Sequence, residues 1–242
     1  MNKQIMIALL ALATILSACQ NQKEMDDLAK AQQCLDKVPA SNPSAADSCL
    51  AYTSGYNDLR SNLLNCSIYL TSGGITADRM ALAYKASTDS TLTNPEADYI
   101  GYLALTVPDA TSGYAKAKLA ATYCKASSDP GLIFVSSLAI AGSFIGTQTS
   151  LDFTSPTSLQ TGVQTVLTSC QTTPANCDPT VIGPAVVTAA AAYCASATAN
   201  TSVCATINQS IAGNPGNDTA ITAGLMCLLG NKTWNSSTQT CS

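Results

Sequence analysis

The sequence predicts an all-α protein, a helical-hairpin array or bundle stapled by disulfides, with a short C-terminal hairpin. Three observations carry that expectation. Small and apolar residues recur at helical spacing along most of the chain, and no run of alternating strand residues interrupts them. Capping side chains stand directly before proline at several points. Setting aside Cys19, ten cysteines remain, an even set for bridging.

Helix starts come first. Asn42-Pro43, Asn94-Pro95, Asp129-Pro130, Ser155-Pro156 and Asp178-Pro179 each pair a hydrogen-bond acceptor for an orphan amide with a residue whose φ is already helical. Val107-Pro108 looks similar but lacks the cap. Gly73-Gly74 and Asn214-Pro215-Gly216 read as stops. These signals place helices at about 22–38, 43–54, 56–71, 76–87, 95–106, 108–127, 130–146, 156–171, 179–197, 201–212 and 217–229.

Within them, apolar stripes end in cysteine. Ala117, Ala120, Ala121 and Cys124 stand at i, i+3, i+4, i+7, and so do Val163, Val166, Leu167 and Cys170. Val187, Ala190, Ala191 and Cys194 repeat the spacing, as do Ala220, Ala223, Gly224 and Cys227. Leu59, Leu63, Cys66 and Leu70 form a related stripe. Each is expected to face the core. Aromatic residues make up only 5% of the chain, so close-packed helices with thin cores are expected, and bridges would supplement them. Leu132–Ile145 is uncharged and, at about 14 residues, short for a membrane span, so it reads as a buried core helix. The tail from Gly230 to Asn235, followed by Cys241, reads as a hairpin that packs Trp234 on the last helix.

Charge bounds the function. The formal net charge is −4, and a mildly acidic surface argues against nucleic acid, whose phosphates demand basic patches. The chain has no histidine, which excludes Ser-His-Asp and Cys-His machinery, His-ligated metal and an imidazole switch. From Gly131 to Ser242 only Asp152, Asp178, Asp218 and Lys232 are charged. A soft boundary near Thr147–Ser155 therefore separates a helical region, 19–150, from a charge-poor helical region, 151–242, that carries the disulfide hairpin.

Residues 1–18 read as a signal peptide. Lys3 supplies the positive end, Ile5–Leu16 the apolar stretch, and Ser17 and Ala18 the small residues before a cut. Leu16-Ser17-Ala18-Cys19 resembles the lipobox of bacterial lipoproteins. That resemblance covers about 20 residues. It implies cleavage before Cys19, acyl chains such as palmitate on Cys19, and attachment to a membrane. Gln20 after the cysteine implies the outer membrane in that class, with periplasmic and surface orientation both open.

An exported chain sits where disulfides persist. Cys34, Cys49, Cys66, Cys124, Cys170, Cys177, Cys194, Cys204, Cys227 and Cys241 are then expected to form five bridges. Pairing each cysteine with its neighbour closes the shortest loops: Cys34–Cys49, Cys66–Cys124, Cys170–Cys177, Cys194–Cys204 and Cys227–Cys241. Cys49–Cys66 is an alternative to the first two. No Cys-x-x-Cys and no zinc-finger spacing occurs.

Lys85-Ala86-Ser87-Thr88-Asp89 recurs as Lys125-Ala126-Ser127-Ser128-Asp129, 40 residues on. The interval from Gly113 to Asp129-Pro130 resembles that from the turn glycine to the terminal Asp-Pro of a tetratricopeptide repeat. The alanine and aromatic positions between them are offset, so the likeness extends to helix-pair architecture only.

Catalytic signatures are sparse. Nucleophile-elbow, phosphate-loop and dinucleotide patterns are absent. Glu24 and Glu96 are the only glutamates. Glu24 falls in the tether; Glu96 beside Asp98 is the one carboxylate pair suited to glycan chemistry, or else a helix-dipole cap. Asp26-Asp27 reads as a solvated helix face. The nine tyrosines read as core or rim, or as the lining of a groove. The expected function is a non-catalytic interaction or structural module of the cell envelope, without cofactor. It would bind the membrane through Cys19 and another envelope component through a helical face. A wall-glycan enzyme and a small-ligand or peptide carrier are the alternatives.

Overall fold

The structure, a computed structural model, describes residues 22–89, 91–92, 94–153, 156–194, 201–230 and 232–242. Residues 1–18, expected to be a signal peptide, Cys19 and the expected capping position Ser155 lie outside the described residues. Helix α1 spans 22–36. A 3-10 turn, Pro43–Cys49, runs into α2, Leu50–Thr53. Then follow α3 (Leu59–Ser72), α4 (Ala77–Thr88), α5 (Pro95–Tyr102), α6 (Ala110–Ser127), α7 (Pro130–Gln148) and α8 (Pro156–Thr172). After these come α9 (Pro179–Ala189), α10 (Thr201–Ile211) and α11 (Asp218–Leu229). Among the described residues the strands are β1 (Trp234–Asn235) and β2 (Thr240–Cys241), an antiparallel pair. The protein is all-α with a C-terminal hairpin.

Caps set the helix starts, though not always the expected ones. Asn94 accepts from the Ala97 amide and Asp129 from the Leu132 amide. Asn42 and Asp178 do not cap. Asn42 accepts instead from Ser44 Oγ at 2.8 Å, and Asp178, at φ 45°, accepts from the Tyr114 hydroxyl at 2.6 Å. Helix α6 begins two residues later than expected, because Asp109 supplies the cap that Val107-Pro108 lacks, accepting from the Ser112 amide at 2.9 Å.

Helix α5 stops four residues short of the expected 106, and the reason is tertiary. Leu103, Ala104 and Leu105 are fully buried outside any helix, so their backbone needs partners. Arg79 donates to the carbonyls of Tyr102 and Ala104 at 2.8 and 2.7 Å. Ser143 Oγ on α7 accepts from the Leu105 amide at 2.7 Å. The Gly73 carbonyl accepts from the amides of Thr106 and Val107. The Arg79 guanidinium stacks 3.9 Å over Phe153, and burial lowers its pKa to about 10, which leaves it charged at neutral pH.

Helix α7 lies at the centre, packed by α5, α6, α8 and α9. It is long and apolar enough to cross a membrane, yet 67% of that window is buried inside the protein. Even Ser136, Ser137 and Ser143 are enclosed. The two sequence regions share one core: Leu138 and Ile145 belong to the same cluster as Leu159, Leu167, Ile182 and Leu225. The helices form a bundle and not a linear array. Helix α3 packs on α6 past the α4–α5 pair, and α11 packs on both α8 and α9. The repeated Lys-Ala-Ser motif falls at the ends of α4 and α6.

Two stripes depart from expectation. Leu59 and Leu63 are 61% and 40% exposed, because the face of α3 that α1 covers is that of Leu64. Val187 is 40% exposed, because α9 buries the face of Ile182, Ala185, Val186 and Ala189, and the π-helical turn Ala190–Cys194 then breaks the period linking Val187 to Cys194.

Cysteines bond to their sequence neighbours: Cys34–Cys49, Cys66–Cys124, Cys170–Cys177, Cys194–Cys204 and Cys227–Cys241. The five loops do not overlap, so each bridge constrains a separate segment. Cys66–Cys124 stands apart, with 58 residues in its loop against 7 for Cys170–Cys177. It locks α3 antiparallel to α6, beside the stacked rings of Tyr69 and Tyr123 at 5.6 Å. In the chain-entropy model the long loop contributes about 4 kcal/mol and the short one about 2 kcal/mol. Replacing both cysteines of the 66–124 pair by alanine is therefore expected to lower the urea unfolding free energy about twice as much as the same change at 170–177. Equal losses would place native-state strain, not loop entropy, in control.

Gly142 shows how closely α7 meets α5. A Cβ there would lie 2.3 Å from the Ile100 carbonyl oxygen and 3.1 Å from the Ala104 amide nitrogen. Helix propensity alone favours alanine by about 1 kcal/mol. The clash is with backbone, and overpacking of that kind costs about 1–3 kcal/mol. Gly142→Ala is thus expected to destabilise by up to about 2 kcal/mol in urea titration.

Candidate functional site

The site begins with the start of α1 and the start of α3, which meet along an open cleft of about 430 Å³ lined by Glu24, Met25, Leu28, Asp58, Leu59 and Arg60. Asp58 caps α3, accepting from the amides of Arg60 and Ser61. Burial pushes the Asp58 carboxyl up, but those two amides and the Glu24 carboxyl outweigh it, so it ends below the ordinary carboxylate range. Glu24 moves the other way, raised by the neighbouring Asp58 carboxyl and by burial. Glu24 thus belongs to a folded carboxyl pair and not to a free tether. The sequence separates the two by 34 positions and carries no signal of their meeting.

Leu28, Ala31 and Leu64 form the floor, with Tyr56 packed beside them. Asp27 ties the wall together and is no simple solvated face. It bonds Lys23 at 2.8 Å, Lys30 at 3.2 Å and the Tyr56 hydroxyl at 2.9 Å. Lys23, Tyr56 and Lys30 together hold its pKa down at about 2. Above this floor Met25 is 54% exposed and Leu59 61% exposed. They are large apolar groups turned outward on a shared cleft, with Leu63 one turn along α3.

A second groove, of about 330 Å³, runs between α6, α7 and α9. Ile140, Val181, Pro184 and Ala185 pave it, and Lys118 and Lys125 stand on the α6 side. Lys118 lies 4.4 Å from the Tyr114 ring centre. The tyrosines do not gather there: Tyr102 is buried, Tyr84 is 70% exposed on α4, and Tyr69 stacks on Tyr123 elsewhere. Trp234 is 6% exposed and packs on Ala220, Ala223 and Cys227.

Glu96 and Asp98 both fall in the first turn of α5 but differ in environment. Glu96 is partly exposed, whereas Asp98 is fully buried with both carboxyl oxygens unpartnered. Burial alone raises the Asp98 pKa to about 6. Among the described residues no three His, Cys, Asp or Glu side chains converge as a metal site. Comparison with protein-family models, curated proteins and solved structures finds no match.

The Asp98 shift has a signed consequence. Its folded-state pKa lies above the unfolded value of 3.8, so the folded state holds this proton more tightly. The contribution is full below pH 4 and is lost as pH rises through 6. By pH 7 the loss is about 3 kcal/mol. Asp27, Asp58, Asp89 and Asp109 are shifted down and act oppositely, losing their contribution as pH falls below about 4. With no histidine to titrate, stability is expected to peak near pH 4–5 and to decline toward pH 7. Asp98→Asn is expected to gain about 1–3 kcal/mol at pH 7.5 and to flatten that decline in urea titrations. An unchanged slope would assign the decline to another group.

Proposed function

We propose that this chain is an acyl-anchored envelope lipoprotein whose disulfide-stapled helical body is a non-catalytic interaction module. One observation carries the reading. Ten of eleven cysteines are engaged in bridges, and the one left over, Cys19, closes the Leu16–Cys19 motif. The bridges fit an oxidising compartment outside the cytoplasm. Gln20 favours the outer membrane within that class. Glycan chemistry at Glu96 and Asp98 is disfavoured, because Asp98 would have to leave the core to meet a substrate.

The groove beside Lys118 and Lys125 favours a second reading, a carrier of small ligands or peptides. Its apolar floor and cationic wall suit an apolar chain with an anionic group.

Cys19→Ser tests the anchor. In cells fed a fatty-acid probe, the native chain is expected to take up label and the variant to take up none. Unchanged labelling of the variant overturns the reading. Cross-linking in intact cells with mass identification then names the envelope partner.

A further inference from the structure

The cleft between α1 and α3 carries an inference about how the body sits once anchored. It rests on the acyl anchor proposed above. From Cys19 to residue 22, where the described helix begins, are three Cα–Cα steps, a reach of at most about 11 Å. Met25 stands three residues into α1, only about 4.5 Å further along its axis. The polar layer on each side of a bilayer's hydrocarbon is about 5–8 Å deep. A cysteine whose acyl chains lie in the hydrocarbon therefore keeps the mouth of this cleft within about 16 Å of the anchor, close enough to reach the headgroups.

The side chains that point outward there are those a lipid surface accepts. Met25, Leu59 and Leu63 are 54%, 61% and 40% exposed. Arg60 lines the cleft beside Leu59, within reach of lipid phosphate. Lys23 and Lys30 pair with Asp27 on α1, and Arg60 lines the cleft with Glu24 and Asp58, so these charges cancel. That balance gives anionic lipid no electrostatic advantage. We propose that the face formed by Met25, Leu59 and Leu63 docks on the bilayer that Cys19 enters, with zwitterionic phospholipid as its partner. The contact orients the body, with α1 and α3 toward the lipid and the charge-poor helices away from it.

Leu59→Trp tests this, because an exposed position tolerates the ring. The acylated chain is placed in phosphatidylcholine vesicles containing brominated phosphatidylcholine, which quenches indole at short range. Trp234, buried against α11, supplies the constant background. Val187→Trp, on exposed α9, is the control. Vesicle flotation reads the anchor and quenching reads the docking. Flotation with Leu59→Trp blue-shifted and quenched more than about twofold over Val187→Trp supports the proposal. Flotation with equal quenching overturns the docking and leaves the anchor standing. Failure of the native chain to carry acyl groups or float overturns both. A dimer in solution, with Leu59→Trp blue-shifted before lipid is added and unquenched after, overturns the docking and assigns the cleft to a second copy.

Discussion

A nineteen-residue helix without a single charge must be covered on nearly every side, and much of this fold follows from covering α7. Helices α5, α6, α8 and α9 wrap it. Close approach needs small residues, hence Gly142 against the α5 backbone and Ala139 and Ala141 in the same core. Hydroxyls enclosed with the helix must find partners. Ser136 bonds back to the Ile133 carbonyl, while Ser143 reaches across to the Leu105 amide. That bond helps hold a buried, non-helical segment after α5, and the rest of its backbone is satisfied by Arg79 and Gly73.

Packing and bridging divide the work of holding the molecule together. Alanine and glycine bring helices close but bury little apolar area each. Two of the bridges act where that area is smallest. Cys34–Cys49 secures α1 to the 3-10 turn, in a small cluster apart from the main core. Cys227–Cys241 secures the tail hairpin, again in its own cluster. Helix α3 joins the first of these outlying pieces to the body. Leu64 faces α1, Ile68 faces the 3-10 turn, and Cys66 and Leu70 enter the main core. Lys116 braces the same seam, bonding Asp47 and the Ser72 carbonyl.

This division leaves the α1–α3 end as the face where side chains remain unspent. Its floor is a minimal cluster, its rim is charged in both senses, and its largest apolar groups point outward. Such a face suits contact with a surface better than turnover of a substrate. A catalytic cleft needs groups converging on one enclosed point, and the Glu24–Asp58 pair lies at an open mouth.

The sequence by itself determined the helical class, the helix starts at Asn94 and Asp129, and the even set of cysteines available for bridging. These are local matters: a capping side chain meets an amide three residues away, and four of the five bridges close loops of 15 residues or fewer. The reading from Val107-Pro108 missed the Asp109 cap, which stands one residue past that proline. Tertiary structure alone decided the early end of α5, the burial of Asp98, the outward turn of Leu59 and Leu63, and the meeting of Glu24 with Asp58. Each depends on which helix packs against which face. A periodic stripe records that a helix has an apolar side, but not whether a neighbour arrives to cover it. Here α1 meets α3 at Leu64, and Leu59 and Leu63 beside it stay uncovered at the candidate site.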